Sequence, residues 1–501
     1  MSSSVLAGPE DRRGRGAAAD LADLVLVSDR GPVQFIRNGS RLTPKRRSSS
    51  VTGLLDQVAV RAGGRARWIS PSAHAEDVEA ERAGLVDGPV DDLGYRIDLV
   101  GVSRARYDAY YYDAGVEVIW RAWHGIEDEI PARAESWSLA ALAEYATVNR
   151  ALATRAAHHA APKAVVAVQD YQLMAAPAML RALRPDTRIM HFSHTPFPGT
   201  ASLSRIPETV ARFLVEGMLG ADLLGFQRAL WSERFMDACR QFGFTTDEQS
   251  GWVRNPDGRR TWVRRYPVPV DVSALHDRVR QGRSGVGAAA EQARTGDRRS
   301  QILRVDRLDP AKNALRGFEA YSRLLDRRPE LASEVHFVAC LVPSREQVPA
   351  YRRYAERVWN LVDEVNRRHQ GAITVYYGDD QSRALRLMRD YDVLLVNPIT
   401  DGMNLVAQEG PVVNDRNGVV VLSDGAGCGD LLRAGALILD DPRDVHATEA
   451  MLERALHMPA AERSRRADVM RTVIGRSSPD RWMEQQLEAV TAAGRGDALP
   501  A

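Results

Sequence analysis

The chain has 501 residues, 44% of them hydrophobic, so it is long enough for two or three domains with their own cores. Its 67 Lys and Arg residues nearly balance its 66 Asp and Glu residues, and the formal net charge of +1 excludes the strongly basic composition of nucleic-acid-binding proteins. The three cysteines are far apart in the sequence, which disfavours disulfide scaffolds and zinc sites and favours a reducing cytoplasm.

The N-terminus and the hydropathy pattern point to neither export nor a membrane. Residues 1–20 are rich in Ser, Arg, Gly and Ala without an apolar core, so we predict a disordered leader and not a signal peptide. No apolar run reaches the roughly 18 residues of a membrane span, so we expect no membrane partner. The oligomeric state stays open, with a homo-oligomer among the options.

The first apolar run, Asp23–Ser28, predicts a strand that ends at a turn beginning Asp29-Arg30. The polar stretch Arg37–Ser50 then predicts a basic loop, either exposed to solvent or acting as a mobile lid over phosphate. Helical periodicity resumes at Leu54–Val60.

Two later apolar runs in this half predict buried strands. Ala164–Gln169 ends at Asp170, and Ile189–Ser193 ends at His194. In open α/β sheets, ligands bind beyond the carboxyl ends of the strands. We therefore expect Arg30, Asp170 and His194 to converge on one crevice.

The segment 107–123 is dense in aromatic residues. Aromatic side chains at this density mostly form core, so we expect about half of them to be packing residues. Sugars also stack on aromatic faces, so one or two of these rings are candidates for lining an acceptor pocket.

A break at Tyr266-Pro267-Val268-Pro269 predicts a domain boundary, followed in 273–300 by a polar helix and a flexible loop. A second α/β series then begins. Its predicted strands are Gln301–Val305, Val335–Val342, Ala372–Tyr377, Val393–Val396, Val419–Leu422 and Ala436–Leu439, and its last helix is Pro479–Ala492.

The run NPITDGMNLVAQE, residues 397–409, predicts a strand-to-helix turn built for a ligand. Gly402 lets the backbone approach closely, and the amides of Met403, Asn404 and Leu405 point towards a phosphate in front of the helix. Asp401 and Glu409 flank this turn about two helical turns apart, which suits the hydroxyls of a sugar nucleotide.

Arg307 and Lys312 lie five residues apart at another strand-to-helix turn. Two cations together with backbone donors neutralise a diphosphate that gains charge as its bond breaks. The alternative is a surface ion pair with Asp306 and Asp309. The sequence has no Walker A loop, no GxGxxG and no acidic pair suited to a divalent metal, so we expect neither a metal nor a bound cofactor.

Several motifs in order carry a resemblance to glycosyltransferase family 20, the trehalose-6-phosphate synthase family, over about residues 24–490. They are VSDRGPV, VEVIW, VQDYQL, HFSHTPFP, LLGFQ, RVDRLDPAKN, VPSREQVPAY and DGMNLVAQE. The resemblance implies a GT-B fold, in which two Rossmann-like domains face each other across a cleft. The implied divisions are an acceptor domain 21–268, a nucleotide-sugar domain 269–478 and a helix 479–495 that crosses back.

The same resemblance implies roles for the matching residues. Arg307 and Lys312 resemble the donor diphosphate ligands, Asp401 the carboxylate on the donor sugar, and Glu409 the ribose ligand. His194 resembles the residue beside the anomeric centre. The residues that resemble the acceptor pocket are Arg30, Tyr111, Trp120, Asp170 and Arg345. Among these, Arg30, Arg345 and Tyr111 resemble the residues that bind the acceptor phosphate.

This chain departs from the family pattern at four positions. Thr52 precedes Gly53 where the family has Gly-Gly, Thr400 replaces an Arg, Gln408 replaces a Lys, and Glu117 stands at a small or polar position. These changes concern the acceptor more than the donor frame.

The resemblance implies a metal-independent, configuration-retaining transfer of glucose from a nucleoside diphosphate to a phosphorylated sugar, glucose 6-phosphate in the first place. The Ala- and Arg-rich, actinobacterial composition favours GDP-glucose, with UDP- and ADP-glucose left open. One alternative is a specialised transferase or pseudo-glycosyltransferase that acts on a cyclitol, glycerol or nucleoside phosphate. The other is a catalytically silent sugar-phosphate sensor.

Overall fold

The computed structural model describes residues 21–47, 50–72, 74–86, 90, 93–127, 139–282 and 299–499. The predicted leader 1–20 and most of the predicted loop before Ser300 lie outside these residues. The strands are β1 Ala22–Val27, β2 Val33–Asn38, β3 Arg41–Arg46, β4 Ala66–Pro71, β5 Arg96–Val100, β6 Ala160–Gln169, β7 Arg188–Phe192, β8 Leu223–Phe226, β9 Thr246–Asp247, β10 Trp252–Arg254, β11 Arg260–Arg265, β12 Ser300–Arg307, β13 Val335–Val342, β14 Ile373–Tyr377, β15 Val393–Val396, β16 Val419–Ser423 and β17 Leu437–Leu439.

Helices cover the sheets and connect most of the strands. The α-helices are Ser50–Ala62, Ala75–Arg82, Arg104–Asp108, Arg121–His124, Leu139–His159, Ala176–Leu183, Thr200–Leu203, Glu208–Met218, Ala229–Gln241, Val272–Gly282, Ala314–Arg327, Leu331–Glu334, Pro349–Arg368, Gln381–Asp390, Val406–Val413, Gly429–Leu432, Val445–Leu456, Ala460–Ile474 and Pro479–Ala493. The other helical elements of the described residues are three 3₁₀ turns (Gly63–Arg65, Tyr171–Leu173, Pro310–Lys312) and a π-helix (Ala109–Trp120).

The described part of the first half forms a nine-stranded sheet in the order β5-β4-β1-β6-β7-β8-β11-β10-β9. The pairs from β5 to β11 are parallel, and β10 and β9 add an antiparallel edge. Helices cover parallel strands on both faces, so such strands consist of nearly continuous apolar residues. The runs in β1, β6 and β7 have this character, which is why the sequence predicted them.

The second half forms a six-stranded sheet whose described strands are all parallel, in the order β14-β13-β12-β15-β16-β17. All six strands match the runs predicted from the sequence to within two residues at each end. The first sheet ends at Arg265 and the second begins at Ser300. The exact domain limits stay a prediction.

The last helix, Pro479–Ala493, packs against β7 and β8 of the first sheet. Trp482 makes an edge-to-face contact with Phe192 of β7 at a centroid distance of 5.0 Å. Its indole Nε1 donates to the Tyr266 carbonyl at 3.0 Å. The chain therefore returns to the first sheet after it completes the second.

The predicted loop at Arg37–Ser50 is wrong for its first ten residues, which complete an antiparallel hairpin. Strands β2 and β3 pair from Val33↔Arg46 to Asn38↔Arg41, joined by the two-residue turn Gly39-Ser40. Gly39 has φ +61°, the left-handed conformation that tight hairpin turns require. The Asn-Gly-Ser sequence was the signal for this turn, and the surrounding polar residues obscured it.

The described helices include none with the length and apolar character needed to cross a bilayer.

Candidate functional site

The carboxyl ends of β1, β6 and β7 meet at one edge of the first sheet, as the sequence predicted for Arg30, Asp170 and His194. Asp170 Oδ1 accepts hydrogen bonds from the backbone nitrogens of His194 at 3.1 Å and Thr195 at 3.2 Å. Burial raises the pKa of Asp170 to about 6, although these hydrogen bonds oppose the shift. Arg30 follows β1 at the same edge and donates to the Tyr111 hydroxyl at 3.2 Å.

His194 is a buried, neutral imidazole at this edge. Burial lowers its pKa to about 3. Its Nε2 lies 3.0 Å from Oε1 of Gln169, and its carbonyl accepts from Nε2 of Gln227 at 2.9 Å. Its Nδ1 is buried and has no hydrogen-bond partner in the described part of the chain.

A π-helix, Ala109–Trp120, carries Tyr111 and Trp120. In an α-helix, residues nine apart are about two and a half turns apart and lie on opposite faces. Hydrogen bonds that span five residues put more residues in each turn, so the wider helix brings Tyr111 and Trp120 closer to one face. π-Helical turns are frequent at functional sites. The aromatic residues of this segment are more buried than predicted, with Tyr112 alone among its tyrosines and tryptophans only half-buried.

Trp120 lies at one of the contacts between the two halves of the protein. The Arg345 guanidinium, which follows β13 of the second sheet, lies 4.0 Å from the Trp120 ring centroid. Arg307, at the end of β12, lies 5.4 Å from the same ring. Asp309 and Tyr351 hold Arg345 through hydrogen bonds of 2.5 and 3.1 Å. One indole therefore contacts both the expected acceptor cation and an expected donor cation.

Lys312 and Asp401 form a buried ion pair across neighbouring strand ends of the second sheet. Lys312 Nζ donates to Asp401 Oδ2 at 2.5 Å and lies 3.6 Å from Asp306 Oδ1. Burial opposes ionisation of Asp401, yet the Lys312 ammonium keeps the pKa of this carboxyl below its ordinary value. Asn404 Nδ2 donates to the same carboxylate oxygen at 2.9 Å. The pair thus holds a fixed carboxylate beside a fixed cation.

The turn around Gly402 faces the first sheet directly. A Cβ on Gly402 would lie 2.3 Å from the His194 carbonyl oxygen, so this position has room only for glycine. The amide nitrogens of Met403, Asn404 and Leu405 have no backbone acceptor among the described residues. They precede the helix Val406–Val413, as predicted for a phosphate-binding turn.

Glu409 lies within that helix and is half-buried. Burial raises the pKa of its carboxyl, and the Arg278 guanidinium opposes this rise. The structure thus brings Lys312, Asp401 and the amide turn together. It places Glu409 further along the same helix, as the spacing indicated.

The four departures from the family pattern are mostly buried. Thr52 and Glu117 are buried in the first half, and Glu117 lies 4.0 Å from the Arg121 guanidinium. Gln408 Nε2 donates to the Val268 carbonyl at 3.1 Å, which links the donor helix to the chain between the sheets. The Thr400 hydroxyl donates to the Ile399 carbonyl at 2.9 Å.

Sequence reasoning missed two residues that contribute to this site. Asp309, treated there as part of a surface ion pair, is fully buried and holds Arg345. His124 stacks on Trp120 with a centroid distance of 3.7 Å. Its position four residues after Trp120 was a usable signal, because residues four apart share a helix face.

Comparison with known proteins agrees with this architecture. The family model described as glycosyltransferase family 20 matches residues 22–492. The trehalose-6-phosphate synthase of Mycolicibacterium vanbaalenii is 31% identical over 500 residues, which cover 97% of this chain and 98% of that protein.

Two crystal structures show the same fold. The UDP-forming alpha,alpha-trehalose-phosphate synthase of Burkholderia vietnamiensis superposes with a TM-score of 0.82 at 25% identity, over 96% of this chain and 100% of that one. The UDP-forming enzyme of Burkholderia xenovorans, in complex with glucose-6-phosphate, superposes with a TM-score of 0.80 at 27% identity, over 93% and 99%. The chain belongs to glycosyltransferase family 20 and is a glycosyltransferase with the α/β GT-B fold.

Proposed function

We propose that this enzyme transfers glucose from a nucleoside diphosphate glucose to glucose 6-phosphate, with retention of configuration, and forms trehalose 6-phosphate. The observation that carries the proposal is the shared contact of Arg345 and Arg307 with Trp120. Two guanidinium groups on one indole provide two neighbouring anion subsites, one for each phosphorylated substrate. The names of the relatives in Mycolicibacterium and Burkholderia support the same pair of substrates.

In this proposal the donor diphosphate lies between Arg307, Lys312 and the amides of Met403, Asn404 and Leu405. Fixed cations and backbone donors stabilise the charge that develops on a leaving diphosphate. Asp401, held by Lys312, accepts hydrogen bonds from the donor sugar, and His194 lies beside the anomeric carbon. Glu409 binds the ribose.

The acceptor phosphate binds Arg30, Arg345 and Tyr111, because planar guanidinium groups suit a phosphate dianion. Trp120 and Asp170 contact the acceptor sugar. The acceptor hydroxyl hydrogen-bonds the departing phosphate on the face from which it leaves, so the reaction uses no protein nucleophile and no metal.

The nucleotide base of the donor is the open part of the proposal. The sequence favoured GDP-glucose, but the Burkholderia relatives are UDP-forming by name and give that preference no support. The assay therefore measures nucleoside diphosphate release from GDP-, UDP- and ADP-glucose with glucose 6-phosphate, with glycerol 3-phosphate and without acceptor. A chelator is present in a parallel series, which tests the metal independence.

Release that depends on glucose 6-phosphate supports the proposal and identifies the donor. A folded enzyme that releases diphosphate only with another acceptor contradicts it. The buried Glu117–Arg121 pair, at a position that the family keeps small or polar, is the observation that favours this second candidate. The candidate is a specialised transferase or pseudo-glycosyltransferase for a cyclitol, glycerol or nucleoside phosphate. The silent-sensor alternative has no such support, because the chain belongs to a family of enzymes.

A further inference from the structure

His124 ends the short helix Arg121–His124 and is completely buried. Its ring Nδ1 lies 2.8 Å from the Trp120 carbonyl oxygen, one helical turn earlier. A carbonyl oxygen only accepts hydrogen bonds, so Nδ1 carries the hydrogen and Nε2 of the neutral ring presents a lone pair. No described residue makes a hydrogen bond to Nε2. A buried acceptor without a partner is rare in native proteins and calls for an explanation.

The charged groups around the His124 ring belong mainly to the second half of the chain. Burial lowers the pKa of His124 to about 4, although the carboxylates of Asp401 and Asp309 oppose the shift and the Arg345 guanidinium reinforces it. The imidazole is therefore neutral near pH 7. Arg443, also in the second half, donates to the carbonyl of the next residue, Gly125, at 2.6 Å, which fixes this turn against the second sheet.

The chemistry of the neighbours limits what can bind Nε2. The carboxylates of Asp401 and Asp309 accept hydrogen bonds, and they are engaged by Lys312 and Arg345. A ligand that completes this site must bring its own hydrogen-bond donor without bringing a negative charge. A sugar hydroxyl has these properties, because it can donate to Nε2 and lie beside the carboxylate at the same time.

We propose that Nε2 of His124 accepts a hydrogen bond from a hydroxyl group of the hexosyl unit that Asp401 holds. This inference rests on the proposed function. It adds a residue of the first half of the chain to those that bind the donor sugar. The ring that supports Trp120 would then also contact the transferred sugar, so that one imidazole borders both substrates.

The test is the variant His124→Asn. The asparagine amide N–H can retain the hydrogen bond to the Trp120 carbonyl, whereas the acceptor at Nε2 is lost. The matched control is His457→Asn, because His457 Nδ1 makes the same contact one turn back, with the Glu453 carbonyl at 2.9 Å, outside the cleft. Calorimetry compares UDP-glucose with UDP and GDP-glucose with GDP, for the wild type and both variants.

We expect His124→Asn to weaken binding of the sugar nucleotide about tenfold, a typical loss for one hydrogen bond, and to leave binding of the nucleoside diphosphate unchanged. His457→Asn should leave both affinities unchanged. A folded wild type that binds neither sugar nucleotide would overturn the proposed function itself. A wild type that distinguishes the two ligands, with a His124→Asn variant that distinguishes them equally well, would overturn only the role of His124.

Donors that each lack one sugar hydroxyl identify the partner group. With the donor that lacks the bound hydroxyl, His124→Asn should react as fast as the wild type. With the other deoxy donors, it should remain about tenfold slower. The same slowing with every deoxy donor would show a purely structural effect and contradict the inference.

Discussion

Replacing Lys312 by methionine tests the centre of the proposed donor site. Lys312 has only 11% of its side chain exposed and Asp401 only 8%, and their Nζ–Oδ2 distance is 2.5 Å. Methionine keeps much of the side-chain volume and removes the charge. The change therefore leaves two buried carboxylates, Asp401 and Asp306, without their shared cation.

Two separate losses follow. Removing one partner of a buried ion pair destabilises a protein by about 3–5 kcal/mol, because the other charge stays buried without compensation. Removing a preorganised electrostatic group from a transition state costs about 3 kcal/mol, or roughly 150-fold in rate. We expect Lys312→Met to show both, a lower free energy of unfolding and at least a 100-fold lower kcat.

The pH dependence separates this explanation from a general loss of packing. Burial opposes the charge of Lys312, but Asp401 and Asp306 raise its pKa, so its contribution to stability is complete below about pH 10 and is lost above the folded pKa. The pKa of Asp401 is lowered, so its contribution is complete above about pH 4 and is lost only at lower pH. The pair therefore adds no slope near neutral pH.

In the variant, burial of Asp401 without its cation should raise the pKa of this carboxyl. The free energy of unfolding, relative to wild type, should then decrease as pH rises from about 5 to 8. Urea unfolding at several pH values measures this slope, and diphosphate release measures kcat. The double variant Lys312→Met/Asp401→Asn should recover most of the stability and none of the activity. Near wild-type turnover in Lys312→Met would refute the donor-site assignment.

Two further predictions concern the expected acceptor site. Arg345→Ala should raise the KM for the phosphorylated acceptor at least tenfold, with little change in the KM for the donor. The control Arg352→Ala, at an exposed position in the following helix, should change neither KM. Steady-state kinetics with each substrate varied measures both, and a constant acceptor KM in Arg345→Ala would contradict the prediction. Burial raises the pKa of Asp170 to about 6, so between about pH 4 and pH 6 the folded state keeps a proton that the unfolded chain has lost. The free energy of unfolding should therefore decrease as pH rises from about 4 to 6. Asp170→Asn should lack this slope, and an unchanged slope in urea unfolding would show that another group titrates.

The sequence by itself determined the elements whose signal is local. The buried strands of the second sheet are continuous apolar runs, and the turn after β15 has a glycine with amides before a helix, so both could be read from adjacent residues. Arg30, Asp170 and His194 were also predictable as neighbours, because parallel strands share a carboxyl edge. The hairpin β2–β3 was missed because its residues are mostly polar and exposed, which hides the alternation that marks a strand.

Only the tertiary structure decided which residues meet between the two sheets. The approach of Arg345 to the Trp120 ring joins residues more than 200 positions apart, and such a pair leaves no periodic pattern in a single sequence. The same holds for Gly402, whose missing side chain is required by the His194 carbonyl and not by its own turn. Local residues set the strands and their end groups, whereas the packing of distant segments against one another sets the ion pairs, the burial and therefore the pKa values.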